Sequence, residues 1–156
     1  MTWDDVLRRI SAGEPAEDVL DEHRAAQRAE FRRYLMARGQ SAATALAEHD
    51  RRMRDLDLGL TGARNAWHSI SPAQRRVLVA AASVRSGRIV RQSIRPSVYV
   101  RDGGGPKLCG VKTVRPLCSR DLMAWDGGAF DPEQAAVLTE RGRFVLAHGR
   151  SEDSQR

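Results

Sequence analysis

The sequence predicts a mostly α protein with a minor β component, and three observations carry that expectation. Apolar residues recur at helical spacing from Trp3 through Val84. Two later stretches alternate like strands on either side of turn signals. No apolar run approaches the length that spans a bilayer. At 156 residues, one domain with an appendage is expected, enough to bury a real core.

The first elements are helices. Val6, Leu7 and Ile10 set a short one ending near Gly13, and Pro15 suits the first turn of a second. That second helix carries Val19, Leu20, Phe31, Tyr34 and Leu35 and stops at Gly39, and Ser41 can cap a third. In the third, Leu46, His49, Met53, Leu56, Leu60, Ala63 and Trp67 alternate spacings of three and four. Such a seam suits either an intramolecular helical pair or an arm that pairs between subunits. Gly59 and Gly62 each weaken the helix by about 1 kcal/mol relative to Ala, so a break is expected near Leu58 to Thr61. Residues 1–68 are therefore read as a helical arm or hairpin and a possible dimerisation region.

A second region, 69–149, opens with the capping box Ser71-Pro72-Ala73-Gln74, and its helix buries Val77, Leu78, Ala81 and Val84. Arg88 to Gln92 and Ser97 to Arg101 read as a strand pair turning at Pro96. The loop Asp102 to Pro106 has three glycines but lacks the Lys-Ser/Thr ending of a phosphate-binding loop. A short amphipathic helix, about Val114 to Asp121, buries Val114, Leu117 and Cys118 and turns Arg115, Ser119 and Arg120 outward. With Lys112 or Thr113 as its cap, Pro116 falls in the first turn, where its missing N–H costs nothing. Leu122 to Trp125 then runs into Asp126-Gly127, a hairpin-turn signal, and the return leg ends at Leu138. Thr139 can cap a last helix. Residues 150–156 are small and polar, and read as a disordered tail.

Short helix, β-hairpin, helix is the outline of a winged helix-turn-helix domain, and the wording resembles the MarR-type regulators. Thr113, Val114, Leu117 and Leu122 match that family's recognition-helix pattern, while Leu138, Thr139 and Gly142 match its wing return. The resemblance covers the last half of the chain and implies a recognition helix in the DNA major groove. Two features depart from it. The strand pair stands where a second short helix belongs, leaving only Lys107 to Gly110 for that helix, and the wing tip carries Asp126, Asp131 and Glu133.

Charge points the same way. Residues 1–68 hold 11 Arg against 12 acids, a net of −1. Residues 69–121 hold 11 basic residues against 2 acids, a net of +9, and residues 122–156 hold 4 against 6, a net of −2. A surplus concentrated in one third of the chain is the footprint of a phosphate-binding surface. Arg115 is expected to read bases, with Ser119 beside it on the outer face and Arg120 adjoining. Arg75, Arg76, Arg88, Arg91 and Lys112 are expected to hold phosphates. The partner implied is double-stranded DNA, bound by a transcriptional regulator that dimerises through its arm. A protein-interaction module whose basic face meets an acidic partner is the alternative.

An enzyme is not expected, since no carboxylate pair, Ser/His/Asp set or Cys/His set stands out. Cys109 and Cys118 fit no metal spacing and His23, His49, His68 and His148 are scattered, so neither metal nor cofactor is implied. Met-Thr-Trp-Asp-Asp at the N-terminus lacks the basic and apolar regions of a signal peptide, so reduced thiols and a cytoplasmic, membrane-free setting are expected.

Overall fold

The computed structural model describes residues 1–39 and 41–150. Most of the expected tail, residues 151–156, lies outside the described residues. The chain forms two compact units, Met1–Asp55 and Leu56–Arg156, and it is mostly helical with a small antiparallel sheet.

The first unit contains α1 (Trp3–Ser11), α2 (Ala16–Ala37) and most of α3 (Ala42–Asp57). Thr2 and Asp5 form a capping box at the start of α1. Its buried apolar residues are few: Val6, Val19, Leu35 and Leu46. His23 is buried with them beside the Trp3 ring, 4.9 Å between centroids, and neither ring nitrogen has a hydrogen-bond partner among the described residues. Charge pairs supplement this thin core. The Arg28 guanidinium donates to both Asp50 carboxylate oxygens, at 2.8 and 2.9 Å, joining α2 to α3. Arg9 joins α1 to α2 through Glu22 at 2.6 Å.

The expected seam breaks where the glycines placed the break. Gly59 adopts a left-handed φ of 72°, and a separate helix α4 (Leu60–Ser69) starts after it. Here the expected boundary at Ser69 needs correction. Ala63 and Trp67, read as the end of the arm's seam, lie in the core of the second unit with Ile70, Val77 and Val145. Apolar spacing continued across Gly59, but the surface that covers these residues changed.

The second unit continues with α5 (Pro72–Ala82), β1 (Arg88–Arg91), β2 (Val98–Arg101), β3 (Cys109–Gly110), α6 (Val111–Ser119), β4 (Met123–Asp126), β5 (Ala135–Leu138) and α7 (Glu140–His148). Ser71 and Gln74 close the predicted capping box on α5. All five strands are antiparallel, in the order β3-β2-β1-β5-β4. The β1–β2 and β4–β5 pairs are the two expected hairpins. Helices cover an apolar core that includes Tyr99, Leu78, Ile89, Leu117, Leu122 and Met123, all fully buried.

One segment differs from the helix-turn-helix expectation. Lys107 to Gly110 does not form a helix: Cys109 and Gly110 pair with β2 as β3, with Leu108 N–H donating to Tyr99 O at 2.9 Å. The chain takes this path because β2 presents a free edge that the segment satisfies. No helix therefore precedes α6 in the position that a helix-turn-helix pair requires.

The motif Leu138-Thr139-x-x-Gly142 has a local physical reason. Thr139 Oγ1 accepts from Gly142 N–H at 2.9 Å and caps α7. A Cβ on Gly142 would lie 2.1 Å from the Leu122 carbonyl oxygen, so only glycine lets α7 approach the start of β4.

Candidate nucleic-acid interface

Helix α6 begins earlier than its sequence suggested. Gly110 is its N-cap, and Val111 is its first residue. Pro116 therefore lies in the helix interior rather than in the first turn, and no N–H at 116 is available to the Lys112 carbonyl. The cause is β3, which delivers the chain into the helix at Val111. The two faces are as expected. Val114 and Leu117 are fully buried and Cys118 half-buried, while Lys112, Arg115, Ser119 and Arg120 are exposed. Asp121 ends the turn at a φ of 58°.

Beside α6 lies a groove of about 750 Å³, lined by Val111, Arg115, Trp125, Phe130, Arg91 and Gln134 among others. Trp125 is on β4, with its ring 6.2 Å from that of Tyr99, and Phe130 stands at the hairpin tip, 100% exposed. The tip is built by two turns. Asp131 N–H donates to Gly128 O, Gln134 N–H to Asp131 O, and Glu133 N–H to the Asp131 carboxylate at 2.8 Å.

Arg91 fastens this tip from beneath. Its guanidinium donates to Ala129 O at 3.1 Å, to Asp131 O at 3.0 Å and to Gln134 Oε1. The Tyr99 hydroxyl donates to the same Gln134 oxygen at 2.8 Å. Gln134 is buried, so this network satisfies polar groups that would otherwise be costly.

The eight basic and polar residues proposed from sequence separate into two groups. Lys112, Arg115 and Arg76 are exposed, and none forms an ion pair among the described residues. Ser119 is exposed, and its hydroxyl donates back to Arg115 O at 3.1 Å. The other four arginines are committed within the protein. Arg75 donates to Trp67 O at 3.0 Å, Arg120 to Ser69 O at 3.1 Å, Arg91 holds the tip, and Arg88 pairs with Asp126 at 3.0 Å. The aromatic pair Trp125 and Phe130 was not singled out from sequence. A tryptophan in a short strand reads as core, and only the hairpin's placement shows its ring at the surface.

Cys109 and Cys118 are free thiols. Burial raises the pKa of each to about 11, which keeps them protonated and poorly nucleophilic at neutral pH. No group of three His, Cys, Asp or Glu residues that could hold a metal occurs among the described residues, and none of the described helices is long and apolar enough to cross a membrane. Comparison with known families, with curated proteins and with solved structures finds no match.

Proposed function

We propose that the second unit binds double-stranded DNA through the outer face of α6, flanked by the β4–β5 hairpin, as a transcriptional regulator would in the cytoplasm. One observation carries this reading. α6 is anchored by Val114 and Leu117, and it presents Lys112 and Arg115 to solvent with no carboxylate paired to either among the described residues. The order of elements supports it, because the β4–β5 hairpin follows directly after α6 along the chain. The acidic tip is a weaker objection than its composition suggests. Asp126 is exposed but paired with Arg88, and the Asp131 carboxylate accepts from the backbone, leaving Glu133 as the acid there without such a partner among the described residues.

The test is selection of duplexes from a random pool, followed by titration of variants. Arg115→Ala should cost about 1–3 kcal/mol on the selected site and little on random DNA. Lys112→Ala should weaken both equally and lower the salt slope by about one unit. Absence of duplex binding at low salt would reject the proposal.

A partner protein is the second reading, favoured by the fully exposed Phe130 beside the groove. Phe130→Ala should then abolish capture of that partner and leave duplex binding unchanged. Self-association through the helical unit is the remaining part of the proposal, supported by Leu7, Tyr34 and Met36, which are large, apolar and exposed. Sedimentation of the chain with these three changed to serine tests it, since a monomer before and after substitution would end it.

A further inference from the structure

A second charged feature of the Leu56–Arg156 unit shares no residue with α6 or the β4–β5 hairpin. It is a cleft of about 390 Å³ walled by Arg75, Arg76, Arg101 and Arg150, with no carboxylate in its lining. That volume falls in the range of small-molecule sites. Val79, which is 42% exposed, and half-buried Leu108 give the cleft an apolar floor.

Two of the four arginines are held in place against the Trp67 ring. Arg75 donates Nε to Trp67 O at 3.0 Å and Nη2 to His68 O at 3.4 Å, which leaves Nη1 unused. Its Cζ lies 5.3 Å from the Trp67 ring centroid, and Arg150 Cζ lies 5.2 Å from the same ring. Arg150 Nε is buried and has no hydrogen-bond partner among the described residues. Arg76 and Arg101 are exposed and form no ion pair among the described residues. Four guanidiniums around one cleft repel one another until an anion enters, and a buried N–H without an acceptor is costly.

We propose that this cleft binds a small phosphate monoester carrying an apolar body. A tetrahedral dianion offers enough acceptor oxygens for several guanidinium forks, which suits phosphate better than a single carboxylate. The apolar body covers Val79 and Leu108. A nucleic-acid backbone supplies the phosphate but no small apolar group for this floor, and it is the rival occupant.

Phenyl phosphate titrated into the full chain by calorimetry is the test, with inorganic phosphate and phenol alongside. Saturable binding of phenyl phosphate is expected, with inorganic phosphate weaker by about tenfold or more and phenol not bound. The variant Arg76→Gln/Arg101→Gln should lose about tenfold or more in affinity, with its circular dichroism unchanged. If the double variant fails to fold, each single variant is measured in its place. Arg115→Ala should bind phenyl phosphate as the unaltered protein does. The proposal is overturned if phenyl phosphate does not saturate at millimolar concentration, if inorganic phosphate binds equally well, or if the arginine variants bind normally. It is also overturned if those variants weaken duplex DNA while phenyl phosphate is not bound.

Discussion

The two units use the same raw material differently. Both are written with apolar residues at helical spacing, yet the first buries four aliphatic side chains where the second buries a continuous core around Tyr99 and Leu117. The sheet makes the difference. A helix laid on a sheet covers a broad apolar face, whereas α1, α2 and α3 meet one another along narrow stripes. The first unit relies more on exposed ion pairs such as Arg9–Glu22 and Arg28–Asp50, which contribute little each. Stability should therefore reside in the second unit.

Five substitutions and a pH titration can break or sharpen this contrast. The largest effect is expected for Leu117→Ala, which should cost about 2–5 kcal/mol in urea denaturation because α6, α5 and the sheet enclose the cavity. A cost smaller than that of Leu46→Ala in the first unit would reverse the ranking of the two cores.

Glycines in two helices of the second unit separate packing from propensity. Gly142→Ala should destabilise by about 1–3 kcal/mol, since its Cβ would meet the Leu122 carbonyl. Gly62 in α4 has open space around it, and Gly62→Ala should stabilise by up to about 1 kcal/mol. Equal effects at the two sites would remove the steric explanation.

In the first unit, His23→Leu should raise stability by about 1 kcal/mol, because the ring is buried with two unsatisfied nitrogens. Loss of stability instead would mean that the imidazole contributes a contact that leucine cannot.

The smallest effect is acid sensitivity. Hydrogen bonding to Arg28 lowers the Asp50 pKa below 3.8, and bonding to Arg9 lowers that of Glu14 below 4.5. For carboxylates so depressed, the stabilisation is complete above the unfolded values and disappears as pH falls through the folded ones. Amide signals from α1 to α3 should weaken below about pH 4 before those of the sheet. Loss of the sheet signals first would contradict the division of stability.

Much of the fold was legible because local chemistry and tertiary contacts agree. Ser71 and Gln74 announce α5, Gly59 breaks the long seam, and Thr139 with Gly142 sets α7 against the start of β4. What could not be read depended on partners distant in sequence. Lys107 to Gly110 has no strand signal of its own, and it pairs because β2 is beside it. Trp67 fits a helical seam equally well with either unit's surface. The charge surplus of residues 69–121 was plain, but not which arginines would be spent internally. Arg91 and Arg115 look alike in the sequence. One donates to two carbonyls and a buried amide, and the other faces water.

The Arg91 network also bears on kinetics. A surface loop carrying an aromatic ring ordinarily loses conformational freedom when it meets a partner, and that loss slows or weakens association. Here residues 127–134 are cross-braced at Ala129, Asp131 and Gln134 before any encounter. The entropy of ordering the tip is lost on folding instead. Whatever Phe130 meets should therefore dock onto a preset shape, as a key meets a lock already cut. Loosening the brace should slow association even where every contacting side chain is kept.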